Sequence, residues 1–145
     1  MTLLVFPDIN VWLALSFSRH AHHKVAQEWF ASLAEDTELV FCRFTQMGLL
    51  RLVTTASVMG VDAKSQRQAW RLYDDLIRYS ARFAPEPDRL EDSFRAFAKL
   101  NTASPKDWAD SYLAAFAEEI GAVLVTFDGA LGLRSKGSVL LKTSR

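Results

Sequence analysis

The chain has 145 residues, half of them hydrophobic, and its 17 lysines and arginines are matched by 17 aspartates and glutamates. That length suits one compact domain burying roughly two-thirds of its unfolded surface, and with bulk charge cancelled any attraction to phosphate must come from local clustering or a bound cation. No apolar run approaches the roughly 20 residues of a bilayer span, no secretory signal opens the chain, and the single Cys42 excludes an internal disulfide and fits a reducing cytosol.

Four apolar residues at 3–6 predict a strand buried on both faces, which ends at Pro7 and meets Asp8. Ile9, Trp12, Leu13 and Phe17 then recur at helical spacing. The stretch R-H-A-H-H-K at 19–24 breaks that pattern before a second helix with Val25, Ala26, Trp29, Phe30 and Leu33 on its buried side. Without a further His or Cys cluster, His20, His22 and His23 read as helix-start or packing residues. A strand is expected at 39–42, and Thr45 as the cap of a helix carrying Met47, Leu49, Leu50, Leu52 and Val53. Residues 63–79 predict a long amphipathic helix with Trp70, Tyr73, Leu76 and Ile77 on its apolar face. Residues 82–84 suggest an edge strand, and Asp88 an N-cap for a helix burying Leu90, Phe94, Phe97 and Ala98. Ser104, Pro105 and Asp107 fit N-cap, N1 and N3 of a capping box, opening a helix that reaches Ile120 and stops at Gly121. Residues 122–127 form another buried strand, running into Asp128, and 139–141 suggest a last edge. The run G-L-R-S-K-G-S at 132–138 is a poor phosphate loop, with no lysine after its second glycine and no clear helix behind it. Helices alternating with short buried strands predict an α/β fold, a three-layer α/β/α sandwich with a mainly parallel central sheet.

Chain direction then gathers chemistry. In such a sheet the functional crevice lies outside the carboxyl ends of the strands, and each crossover helix begins at that edge. Asp8 and Asp128 end strands there, Asp110 lies in the second turn of a helix starting there, and Gln46 opens another. Singly, Asp8 and Asp128 also fit helix-cap and turn roles. Jointly, three acids on one rim repel unless a cation sits among them. Mg²⁺ or Mn²⁺, with oxygen ligands and retained waters, is the natural occupant and suits phosphodiester hydrolysis.

At these residues the chain resembles PIN-domain nucleases, and more narrowly VapC-type toxins of bacterial toxin–antitoxin pairs. The likeness rests on D-I-N-V-W at 8–12, D-S-Y-L-A-A at 110–115 and V-T-F-D at 125–128. H-A-H-H at 20–23 and F-T-Q-M-G-L-L-R-L at 44–52 are similar to one branch. The resemblance implies a single PIN domain over 1–145 and a Mg²⁺- or Mn²⁺-dependent endoribonuclease with Asp8, Asp110 and Asp128 at the metal. It implies a bracing Asn10 and, within the last motif, a supporting Thr126. It also implies a homodimer, a VapB-type antitoxin that alone contacts operator DNA, and a structured cytoplasmic RNA such as tRNA as substrate. One departure stands out: the family's usual second acid is Gln46 here, an amide that can ligate but brings no charge. Asp107 is the candidate to supply the missing carboxylate.

Arg43, Arg51, Lys106 and Arg134 are candidates to contact RNA phosphates. Two rival functions follow from the same residues. A PIN-fold binding module with its site weakened through Gln46 would need no catalysis. Phosphotransfer on Asp8 is disfavoured, because the D-I-N run lacks a second acid two residues on.

Overall fold

The computed structural model describes residues 2–142. In chain order it runs β1 (Leu4–Pro7), α1 (Ile9–Ser16), α2 (His23–Ala31), β2 (Glu38–Phe41), α3 (Arg43–Val53), α4 (Ala56–Met59), α5 (Gln66–Tyr79), β3 (Ala81–Phe83), α6 (Leu90–Phe97), α7 (Asp107–Ile120), β4 (Val123–Thr126), α8 (Gly129–Arg134) and β5 (Val139–Leu140). A single 3₁₀ turn, Gly60–Asp62, lies between α4 and α5.

The five strands pair in the order β3-β2-β1-β4-β5, and all four pairings are parallel. Successive side chains of a strand face opposite layers, and both layers here are apolar. Val5, Leu39, Phe41 and Val125 join Val11, Trp12, Leu49, Val53 and Tyr73 in a core under α1, α3 and α5. Phe6, Val40 and Leu124 point the other way, into Leu90, Leu113, Phe116 and Leu131 of α6, α7 and α8. This three-layer sandwich explains why the strands are continuous hydrophobic runs rather than alternating ones. Fully burying each of the large side chains stabilises by about 1.5–3 kcal/mol. Trp12 stacks on Phe41 with ring centroids 4.0 Å apart, which fixes α1 on the sheet.

Several local expectations need correction. Trp70 is 49% exposed, because α5 buries Ala69 and Tyr73 and so turns its apolar stripe by about one residue. Thr45 is not the cap of α3: Cys42 holds that position, and Thr45 Oγ1 accepts from the Cys42 N–H at 3.0 Å from the third helical position. Arg89 rather than Asp88 precedes α6. The capping box at 104–107 does not form. The Asp107 N–H donates to the Ser104 carbonyl in a turn, and α7 starts at Asp107 itself. Helix α8 has no counterpart in the sequence reading. Gly121 ends α7 in the left-handed region at φ 68°, where a glycine carries no steric cost.

The strand order sets the position of everything that follows. From β1 the chain builds outward through β2 and β3, then returns to lay β4 against the other side of β1. Between β1 and β4 the winding reverses, so a crevice opens beyond their carboxyl ends.

Candidate active site

Asp8 and Asp128 flank that crevice, because Pro7 pairs with Val125 and the Asp8 N–H donates to the Val125 carbonyl at 2.8 Å. Each acid caps the helix that follows its strand. Asp8 Oδ1 accepts from the Ile9 N–H at 2.7 Å. Asp128 Oδ1 accepts from Ala130 and Leu131 at 2.9 and 3.3 Å. Between them sits Thr126, completely buried. Its hydroxyl donates to Asp8 Oδ2 at 3.0 Å and accepts from the Asp128 N–H at 2.9 Å, a short relay tying one acid's backbone to the other's carboxylate.

Asp110 completes the group from the first turn of α7. Burial pushes its carboxyl above the ordinary range, Lys106 pulls it back, and Asp128 raises it again. Asp8, only 9% exposed, is likewise pushed up by burial first; the Ile9 and Thr126 hydrogen bonds oppose this, and the charges of Asp128 and Asp110 add to it. Asp128 moves the other way, chiefly through its hydrogen bond from Lys106. The Lys106 ammonium lies 2.6 Å from Asp128 Oδ2 and 3.7 Å from Asp110 Oδ2, so one cation already spans two of the acids.

The arrangement is not a finished three-carboxylate cage. Among the described residues no group of three His, Cys, Asp or Glu side chains stands close enough to hold a metal ion. Both oxygens of Asp128 are engaged, whereas Asp110 has no described neighbour but Lys106 within ion-pair or hydrogen-bond distance. The donor set nevertheless fits a hard divalent ion, since Mg²⁺ is commonly held by one or two carboxylates with water completing its shell.

Other expected members of the site have partners of their own. Gln46 is buried, and its Oε1 accepts from Arg43 Nη1 at 2.5 Å. Its amide oxygen therefore serves a contact within α3. Asp107 is bound by Arg134 and accepts from Ser111 Oγ at 3.0 Å, so it does not supply the missing carboxylate. Arg134 is not available to RNA as expected: its guanidinium also donates to the Phe97 carbonyl at 2.7 Å and to Ser111 at 3.0 Å, fastening α8 to α6 and α7. Asn10 is exposed and makes no side-chain hydrogen bond among the described residues, so the bracing role passes to Thr126. Arg43 stacks over Phe83 at 4.6 Å, and Arg51 is exposed on α3. The histidines pack: His23 Nδ1 lies 2.7 Å from the Ala14 carbonyl, and the His22 ring rests against Phe127.

Lys106 as a bridge between acids was the feature sequence reasoning missed. Its place four residues before Asp110 was the available signal.

Comparison with known proteins agrees with this architecture. The PIN domain family model matches residues 5–134. Ribonuclease VapC41 of Mycobacterium tuberculosis is 42% identical over 131 residues, which cover 85% of this chain and 88% of the relative. Among solved structures, VapBC-1 of nontypeable Haemophilus influenzae aligns with a TM-score of 0.69 at 16% identity, over 99% of this chain and 100% of that one. The Mycobacterium tuberculosis toxin VapC20, described as cleaving the sarcin-ricin loop, aligns at 0.64 and 16% identity over 89% and 93%. These structures share the fold, and the closer sequence relative carries the assignment further. The chain belongs to the PIN-domain family, in its VapC branch.

Proposed function

We propose that this protein is the toxin of a toxin–antitoxin pair, a Mg²⁺- or Mn²⁺-dependent endoribonuclease acting on structured RNA such as tRNA. The observation that carries the reading is the pair of carboxylates, Asp8 and Asp110, lifted above the ordinary range on the rim where the sheet reverses. Groups so perturbed, lying in a crevice with neighbouring charges, mark functional sites. Asp8 and Asp110 are the residues that would hold the ion. Thr126 fixes the direction of the Asp8 carboxylate, and Asp128 caps α8 and balances the rim. A bound divalent cation supplies polarisation of a phosphoryl oxygen and a more acidic water. Arg51, exposed on the helix that starts at the same edge, is the candidate to meet neighbouring phosphates.

VapC41 is a ribonuclease by name and VapBC-1 is a toxin–antitoxin structure, and both support this reading. We assign the protein a VapB-type antitoxin as partner, a homodimeric state, operator-DNA contact only through the antitoxin, and the cytoplasm as its setting. The apolar residues Met47 and Trp70, 60% and 49% exposed, are candidates for such interfaces.

The second reading, a binding module without catalysis, draws on Gln46, which carries no charge and is tied to Arg43. Cleavage of total RNA with Mn²⁺ decides between them. Wild type is expected to cut and Asp8→Asn to lose at least 100-fold of that activity. Equal cleavage by the two would reject the assigned site, and none by either would favour the binding module.

A further inference from the structure

We propose that Lys106 is a resident counter-ion of the acidic rim, which a divalent cation must displace in order to bind. The inference rests on the metal site proposed above and concerns this chain's own residue.

Asp8, Asp110 and Asp128 come from three separate segments to within reach of one another's charge, and among the described residues no other cation pairs with them. Arg134, on the neighbouring helix, is consumed by Asp107, Ser111 and the Phe97 carbonyl. Arg43 is consumed by Gln46 and the face of Phe83. Among the described residues it is the Lys106 ammonium that reaches in, 2.6 Å from Asp128 and 3.7 Å from Asp110.

Its side chain is 65% exposed and arrives on a flexible four-carbon stem, so it gives up an ion pair of little worth when it leaves. A fixed guanidinium packed into the fold could not withdraw so cheaply. A divalent ion held by Asp8 and Asp110 brings twice the charge to Asp110, the acid it shares with Lys106, and repels the ammonium towards solvent, so it wins the exchange but at reduced apparent affinity. The metal-free rim is thereby kept from self-repulsion, and the threshold of metal needed to load it is raised.

Mn²⁺ binding followed by the electron paramagnetic resonance of the free ion tests this without reference to cleavage. Lys106→Met and Lys106→Gln are expected to bind Mn²⁺ up to about fivefold more tightly than wild type, the scale of the one exposed ion pair the metal no longer has to break. Lys64→Met is the control, because Lys64 lies over Phe17 at the far end of α1, and its affinity should match wild type. In wild-type protein labelled at lysine, the Lys106 ε-methylene resonance, assigned by its loss in Lys106→Arg, should shift on adding Mg²⁺.

Unchanged or weaker Mn²⁺ affinity in both Lys106 variants would overturn the proposal while leaving the metal site standing. An equal gain in Lys64→Met would also overturn it, by showing a mere effect of net charge. Absence of saturable binding in every protein would remove the site and the inference together.

Discussion

Replacing Thr126 with valine keeps the volume of the side chain and exchanges one group, the hydroxyl that joins Asp8 to the Asp128 backbone, for a methyl. Two hydrogen bonds go with it, at 3.0 and 2.9 Å, in a residue with no exposed surface. Loss of the bond to an ionised carboxylate costs about 1.5–3 kcal/mol, and the stranded Asp128 N–H adds roughly 1. The variant is therefore expected to be about 2–4 kcal/mol less stable at pH 7 by urea denaturation. The deficit also has a pH signature. Asp8 is raised above the ordinary carboxylate range even with Thr126 in place, so its burial as an anion costs stability above that pKa and ceases to do so once it is protonated. Without the hydroxyl the anion is less favoured still. The gap between wild type and Thr126→Val should thus be widest at neutral pH and shrink as the pH falls through the raised Asp8 pKa. Thr126→Ser keeps the hydroxyl and loses a methyl, so its cost, about 1 kcal/mol, should not vary with pH. A Thr126→Val deficit below about 0.5 kcal/mol, or one equally large at pH 4 and pH 7, would refute the relay.

Arg134→Met should destabilise by about 2–3 kcal/mol, since Asp107 is left largely buried without its partner; adding Asp107→Asn should restore part of the loss in thermal denaturation. Gly48→Ala places a methyl against Ile9 Cδ1 and Cγ1, so the Ile9 side chain must turn away or α3 shift, at about 1–3 kcal/mol and with reduced cleavage, because Ile9 adjoins Asp8. Gln46→Glu is expected to pair with Arg43 and change cleavage less than threefold, whereas a gain above tenfold would place that side chain at the metal. Cleavage and Mn²⁺ binding should both fall on acidification from pH 7 at a higher pH than an ordinary carboxylate would set, because Asp8 and Asp110 are both raised.

The parts of this structure that could be read from sequence are those governed by short-range pattern. Residues 4–6 and 123–125 are apolar without alternation because both faces of their strands are covered, and the acid that closes each segment reveals which edge matters. Asp110 could be placed because crossover helices have a fixed direction. What stayed hidden depends on partners distant in the chain. Asp107 looked like a helix cap locally, yet Arg134, 27 residues away, decides its role. Gln46 looked like a substituted ligand, yet Arg43 holds its amide oxygen. Helix α8 is only six residues long and contains two glycines, too short and too poor in helix formers for periodicity to reveal it; Asp128, as its cap, specifies it instead.

The winding reversal between β1 and β4 has a consequence for synthesis. Asp8 is made long before the strand it needs beside it, and Thr126, which orients it, follows 118 residues later. A nascent chain therefore carries Asp8 with nothing to complete its surroundings until β4 emerges. Termination anywhere before β4 leaves the rim without both Thr126 and Asp128.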